Sequence, residues 1–451
     1  MNKKIIPTTR YGGFVDLVGE DVIKEKKMVD AVTSVFENFG YIPLETPPIE
    51  SMKVLGGKGG EEAQRLMYKG ELDSSGVHDW AVRFDLTVPF ASFVATNSSQ
   101  LPDPFKRWQY GFVARGERAQ VAKGRLRGFK QLDLDCVSSV LNPMDDVDVI
   151  AGMLEVMKAF SKIKSTVMIN DRRILDALVL KCGLTKDSAE AGKLLLIVDK
   201  FDKIGKDGVL LDVKNSLGEK TLEIVEKYLD ISGNYLEITD KMRELVGEYE
   251  EARLGIDNLI FIGNTLSVAG YEQGSGTWQI APQIARGLNY YTSTVYETIV
   301  SGYEDRGSVF SGGRYDELVE KLGGPKIKAV GSSVGVSRLL TILDEVGFFE
   351  NIVSGAQVMI LAFPEQKPGN LLAIAKDIRT KNVACEIVAN REKNMGKQIQ
   401  EANKRGCKFV VMQGTDEEKK RTILVKNLDS FEQVEIARGE VGEYILQKFT
   451  K

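Results

Sequence analysis

Residues Phe105–Asp135 read FKRWQYGFVARGERAQVAKGRLRGFKQLDLD. The two ends have the composition of β-strands. Trp108, Tyr110, Phe112 and Val113 form one β-prone run, and Phe129, Leu132 and Leu134 form another. Between them lie the cations Arg115, Arg118, Lys123, Arg125 and Arg127. The second run closes on acids at Asp133 and Asp135. The pattern describes a hairpin with a positive tip and mouth and a negative floor. Guanidinium forks suit phosphates, because they give bidentate, charge-assisted bonds to phosphate oxygens. The floor suits an ammonium or another hydrogen-bond donor, and a ring on the strand can stack on a base. Taken alone, the same residues also fit a solvated basic hairpin.

A second stretch decides between these readings. Ala285–Glu297 reads ARGLNYYTSTVYE, an arginine ahead of two adjacent tyrosines and then an alternating strand. Together the two stretches resemble the histidyl-tRNA synthetases, a family of class II aminoacyl-tRNA synthetases. ARGLNYYT is similar to that family's histidine-recognition motif, RGLDYYT, and the hairpin resembles motif 2. The tyrosine pair is specific to the family, whereas motif 2 alone indicates only class II. The resemblance runs from about Arg10 to the C-terminus and is weakest around residues 195–260.

Composition bounds the chemistry. A chain of 451 residues holds two or three domains and a large core. With 43% hydrophobic and 27% charged residues it reads as a soluble globular protein. The net charge is −4, so contact with nucleic acid must use local basic patches. Four cysteines stand singly at 136, 182, 385 and 407. That spacing predicts no metal site and no disulfide framework, in keeping with a reducing cytosol. The N-terminal residues have no signal-peptide core, and no run of about 18 apolar residues appears, so a cytoplasmic protein with no membrane span is expected. His78 is the single histidine. Catalysis by a pair of histidines is excluded, which leaves arginine, carboxylate, tyrosine and magnesium.

Residues 20–39 have helical apolar spacing and stop at Gly40. GYIPLETPPIES follows as a strand ending in two prolines and resembles motif 1, which builds the dimer interface around a proline, here Pro47. GGKGG at 56–60 lacks the GxxxxGK[ST] pattern of a phosphate loop. AVRFDLTVPFASFVA reads as strand then helix and is similar to the family's RYDLTVPFARY. An aspartate capping the helix is the alternative role for Asp85. Residues 186–257 read as a charged helical insertion. From Leu259, LIFIGNTLSVAGY and TWQIAPQIARGLNYYTSTVYETIV read as antiparallel strands. Gly312 and Gly313 suit a tight strand turn, with a helix starting near Tyr315. AVGSSVGVSRLLTILDE is strand then helix and resembles motif 3. After a linker at 346–355, strands and helices alternate to the end, as in an α/β sheet domain.

The resemblance implies an α+β fold: the antiparallel sheet of class II synthetases flanked by helices, a helical insertion and a C-terminal α/β anticodon-binding domain. The expected borders are 1–185 and 258–345 for the catalytic core, 186–257 for the insertion and 355–451 for the anticodon domain. Arg115 matches the arginine on the ATP α-phosphate and the histidine carboxylate. Glu117 matches the acid near the adenine amine, Phe129 the ring stacked on adenine, and Arg338 the arginine on the γ-phosphate. Asp85, Leu86, Thr87, Gln131, Asp135, Tyr290 and Tyr291 match residues around histidine. Arg286 matches the arginine that stabilises the α-phosphate, so Arg115, Arg286 and Arg338 form the implied catalytic set. Gly128, Asn289, Ser293 and Ser337 depart from the family's usual residues. The basic residues Lys393, Lys397, Lys404 and Arg405 suit a face turned to RNA. The implied activity is ATP-dependent attachment of L-histidine to tRNA(His) through histidyl-adenylate, with ATP and magnesium, by a homodimer. The runner-up is a synthetase-like protein that does not ligate, either a histidine sensor or a regulatory subunit of ATP phosphoribosyltransferase.

Overall fold

The computed structural model describes residues 10–56, 66–71, 78–186, 188–274, 276–285, 291–350, 352 and 354–449. The Phe105–Asp135 stretch is a hairpin. Its strands β5 (Phe105–Ala114) and β6 (Gly128–Ser138) pair antiparallel from Phe105↔Val137 to Ala114↔Gly128. Side chains alternate across a strand. On β6 this sends Leu132, Leu134 and Cys136 into the main apolar core. Phe129, Gln131, Asp133 and Asp135 share the other face.

Six further strands extend this hairpin. They are β1 (Ile42–Pro43), β7 (Ser165–Asp171), β8 (Trp278–Ile280), β9 (Thr294–Val300), β10 (Phe310–Arg314) and β11 (Lys328–Gly335). The sheet order is β1-β5-β6-β11-β10-β9-β7-β8. The interior pairings are antiparallel, and the two edge pairs, β1–β5 and β7–β8, are parallel. Helices Glu20–Asn38 and Pro143–Ala159 supply Met28, Val32, Phe36, Ile150 and Met153 to the core over the Leu132–Leu134 face. Asn142 and Asp145 form a capping box on the second of these helices, and Pro143 opens it. A small sheet of β2 (Ile49–Ser51), β3 (Tyr68–Glu71) and β4 (His78–Val82) leads into the helix Thr87–Asn97.

Two local readings are corrected. Residues 259–268 are not a strand, since the helix Glu250–Val268 contains them. Ala252, Ile256, Leu259, Ile262 and Leu266 are buried at helical spacing along it. A short apolar run such as LIFI fits a buried strand or a buried helix equally, and its N-terminal neighbours decide. The helix also crosses the expected border at 257/258. β8, which follows, is parallel to β7 and not antiparallel. Gly312 and Gly313 make no turn. They lie within β10, where a Cβ would stand 2.1 Å from the Gly331 carbonyl oxygen and 2.4 Å from that of Thr294. The helix expected near Tyr315 begins at Leu318, which leaves Tyr315 in the connection.

The chain divides into two compact units, Met1–Asp16 with Glu25–Phe349, and Leu17–Lys24 with Glu350–Lys451. The second contains a sheet of β12 (Val358–Ile360), β13 (Cys385–Ile387), β14 (Phe409–Met412), β15 (Thr422–Asn427) and β16 (Gln433–Ala437). Its order is β13-β12-β14-β15-β16. The first three strands are parallel and the last two antiparallel to their neighbours. All four cysteines are buried and unbonded.

Gly331 is the tightest point near the pocket floor. A Cβ there would lie 1.9 Å from Asp135 Oδ1 and 2.7 Å from the Leu134 carbonyl oxygen. Overpacking of this kind costs about 1–3 kcal/mol. Gly331→Ala is expected to lower the denaturant midpoint of the N-terminal unit by that amount. An unchanged midpoint would contradict the close approach.

Candidate active site

The outer face of the β5–β6 hairpin collects the polar residues. Arg115, just past β5, donates from Nε to the Phe84 carbonyl at 2.8 Å and from Nη2 to Gln131 Oε1 at 3.4 Å. Its guanidinium lies 5.2 Å from the centre of the Phe129 ring. Gln131 passes the chain on, donating from Nε2 to Ser333 Oγ of β11 at 2.7 Å. The strand rise thus lines up a ring, an amide and two carboxylates on one side of β6.

The floor of this face is charged and buried. Arg107 is 0% exposed, and Asp85, Asp133 and Asp135 are buried around it. Arg107 Nη2 stands 2.8 Å from Asp135 Oδ2 and donates to the Leu86 carbonyl at 3.2 Å. Tyr315 donates its hydroxyl to Asp135 Oδ1. Desolvation pushes Asp135 up from the usual carboxylate range, against the pull of Arg107. Burial also pushes Asp133 up, to about 7, again opposed by Arg107. Asp85 is raised to about 6 by burial, and Val88 and Arg115 pull it down. Asp85 Oδ1 accepts the Val88 N–H at 3.1 Å, so the helix-cap role is occupied as well. Leu86 is fully buried, and Thr87 opens the helix and is half-buried.

The cationic loop folds over this floor towards the resembled motif 3. Glu117 is held by Arg125, with Nε at 3.0 Å, and its carbonyl accepts Arg127 Nε at 2.8 Å. Gly124, at φ +71°, lies against the start of the helix Val336–Glu345. A Cβ there would be 3.1 Å from Arg338 Cα. Lys123 pairs with Asp305 at 2.8 Å, and Arg306 reaches the Ala122 carbonyl at 3.1 Å. Arg338 donates to the Ser308 carbonyl. The loop therefore brings the Arg115 hairpin and the Arg338 helix together.

Arg286 and Tyr290 lie outside the described residues, as does Asn289. Their flanks are firmly placed. Asn170 is buried and donates from Nδ2 to the carbonyls of Pro282 at 3.0 Å and Ile284 at 2.9 Å. Asn258 donates to Thr294 Oγ1 at 2.8 Å. Tyr291 is half-buried, with its ring 2.9 Å from a Cβ built on Gly313. Gly128 falls on the opposite strand face from Gln131, where a Cβ would meet the Phe14 ring at 2.3 Å. Ser337 stands in the first turn of the Arg338 helix, and its carbonyl accepts the Thr341 hydroxyl at 2.8 Å. In the C-terminal unit, Lys393 pairs with Glu401 at 2.6 Å, and Arg405 pairs with Glu386 at 2.6 Å. Lys397 and Lys404 are exposed.

Arg107, Asp133, Tyr315 and Ser333 belong to this constellation and were not assigned from sequence. Arg107 left one signal, a charge at an inward position of an alternating strand. Tyr315 left none, because its partner Asp135 is 180 positions away.

An antiparallel sheet that carries an arginine-lipped hairpin, closed against an arginine-bearing strand–helix element, defines the catalytic fold of class II aminoacyl-tRNA synthetases. A family model described as histidyl-tRNA synthetase matches residues 13–339, and one described as an anticodon binding domain matches residues 357–448. The chain belongs to the histidyl-tRNA synthetase family. It is 33% identical over 439 residues to a histidine–tRNA ligase of Helicobacter hepaticus, covering 96% of each chain. It is 32% identical to one of Clostridium acetobutylicum, over 98% of this chain and 100% of that one. The crystal structure of a histidyl-tRNA synthetase from a Nostoc species superposes with a TM-score of 0.80 at 30% identity, over 99% of this chain and 100% of the other. A Bacillus halodurans protein, described as an ATP phosphoribosyltransferase regulatory subunit/histidyl-tRNA synthetase, shares the fold at a TM-score of 0.71 and 20% identity.

Burial of Asp85 has a consequence for stability. Its carboxyl holds a proton more tightly folded than unfolded, so its contribution to stability falls as pH rises from about 4 to 6 and stays low above that. Asp85→Asn keeps an acceptor for Val88 and removes the buried charge. Its unfolding free energy is expected to exceed the wild type's by about 1–3 kcal/mol at pH 7.5 and to approach it at pH 4. A variant that is less stable at pH 7.5 would contradict this.

Proposed function

We propose that the protein is a histidine–tRNA ligase. A carboxylate oxygen of L-histidine attacks the α-phosphorus of ATP, and the bond to the β-phosphate oxygen breaks. Histidyl-adenylate forms and pyrophosphate leaves. A hydroxyl of the 3′-terminal ribose of tRNA(His) then attacks the histidyl carbonyl, loses its proton and expels AMP. No side-chain nucleophile is needed, since orientation and charge stabilisation supply the rate.

The observation that carries this reading is the row of Phe129, Gln131 and Asp135 on one strand face, with Arg115 linking the first two. In this reading Phe129 stacks on adenine, Glu117 lies near its amine, and Arg115 spans the histidine carboxylate and the α-phosphate. Arg286 stabilises the same phosphate and Arg338 takes the γ-phosphate. Asp135 accepts the imidazole N–H, and Tyr290 and Tyr291 enclose the ring with Gln131. Asp85, Leu86 and Thr87 close the amino-acid end. A hydrogen-bonding pocket of this kind rejects analogues that leave its buried groups unpaired.

Magnesium enters on the ATP phosphates and offsets their charge. Among the described residues no group of three acidic, cysteine or histidine side chains is placed to hold a metal by itself. Residues 186–257 serve the tRNA side, and residues 355–451 read the anticodon. The protein acts in the cytoplasm, in keeping with the finding that no described helix is long and apolar enough to cross a membrane. A homodimer forms about Pro47. In support, Arg83 ties the carbonyls of Thr46, Pro47 and Phe112 together, and Ile42 and Ile49 are about half exposed beside them.

ATP–pyrophosphate exchange with each of the twenty amino acids tests the reading, and exchange with histidine alone is expected. Arg286→Ala is expected to raise the barrier by about 3 kcal/mol, the usual loss when one such contact is removed. Near-normal exchange in that variant would remove the role given to Arg286. Exchange with a different amino acid would overturn the pocket assignment.

A further inference from the structure

Asp133 has no role in the mechanism above. It is 1% exposed, on the same strand face as Gln131 and Asp135. A strand rise of about 3.4 Å per residue sets its Cα about 7 Å from each of theirs. Its Oδ1 has no hydrogen-bond partner among the described residues. The rest of the carboxylate faces Ser333, whose hydroxyl already takes the Gln131 amide. A buried, half-satisfied carboxylate is costly, and it survives where a ligand completes it.

The charges around Asp133 name that ligand. Arg107 faces it from β5, Asp135 from its own strand, Asp85 from the turn before the helix Thr87–Asn97, and Arg83 from just past β4. Arg83 and Arg107 are buried, as are Asp85, Asp133 and Asp135, so two cations meet three acids. Arg115 is only half-buried and is turned to the Phe84 carbonyl and Gln131. The floor lacks one positive charge. Lysine and arginine side chains reach no further into it, and an amino-acid substrate carries one ammonium group.

We propose that Asp133 binds the α-ammonium of the amino-acid substrate through the oxygen left without a partner. The inference rests on the reading of this face as the histidine site. Asp135 then meets the ring while Asp133 and Gln131 lie under the α-carbon. Burial holds a proton on part of the Asp133 population near pH 7, and the arriving ammonium displaces it.

The test is calorimetric binding to wild-type protein and to Asp133→Asn of three ligands: histidine, histidinol, which keeps the ammonium, and 3-(imidazol-4-yl)propionate, which lacks it. Asp133→Asn is expected to weaken histidine and histidinol by about 10- to 100-fold, the range for a charge-assisted hydrogen bond. Imidazolylpropionate is expected to change by less than about 3-fold, well below that range. Equal loss for all three ligands, or no loss, would overturn the assignment. The wild type gives an independent readout if the variant does not fold. Titrations in buffers of different ionisation enthalpy should show proton release with histidine at pH 7 that disappears by pH 8.5, and no release at pH 7 would overturn the inference. Histidine that fails to bind the wild type would overturn the site reading itself, whereas tight binding with an unaffected variant overturns the role of Asp133 alone.

Discussion

Arg107 is a guanidinium held entirely out of water, and the shape of the pocket floor depends on it. It faces Asp135 at 2.8 Å, caps the Leu86 carbonyl and lies 4.3 Å from the centre of the Phe90 ring. One side chain thereby ties β5, β6, the Asp85–Thr87 turn and the helix after it. Its Nε and Nη1 have no hydrogen-bond partners among the described residues. A buried ion pair is weak evidence for stability, because desolvation offsets its attraction. The arrangement is better explained by what it holds in place, namely acids that remain acidic enough to meet a cationic ligand. Without Arg107, burial alone would keep Asp135 protonated, and a protonated acid no longer offers the same acceptor to an imidazole N–H.

The second constraint is steric. Asp135 and Gly331 are directly paired across β6 and β11, and Gly312 and Gly313 line up beside Ser332 and Gly331. Side chains at these glycines would fill the space of the carboxylate and of the Tyr291 ring. Three neighbouring strands approach closely so that the polar groups project to one side. The cationic loop rests on the Arg338 helix through Gly124, so the two ends of a nucleotide would be gripped by elements that already touch.

The sequence made the hairpin, its polar face and the tyrosine-pair strand legible, because strand alternation and turn-rich loops leave a local pattern. Asp85, Gln131 and Asp135 could be placed for the same reason. What stayed hidden depends on distant pairing. Tyr315 reaches Asp135 from a connection that sequence read as helix, and Ser333 joins Gln131 only because β11 lies beside β6. The apolar run at 259–268 has strand-like composition, but its burial repeats with helical period from Ala252 onwards. Gly312 and Gly313 were read as a turn because glycine reports freedom of φ and close approach alike. Gly128, a departure from the family pattern, turns away from the Gln131 face and makes room for Phe14.

The account treats the charged floor and the C-terminal unit as parts of one enzyme, and transfer of histidine to tRNA tests that most directly. Purified protein would be incubated with ATP, magnesium, labelled histidine and either tRNA(His) or a tRNA for another amino acid. The account predicts label on the 3′ end of tRNA(His) and little on the other. Histidyl-adenylate formed with no transfer to any tRNA would contradict it and would point to a protein that senses histidine without ligating it.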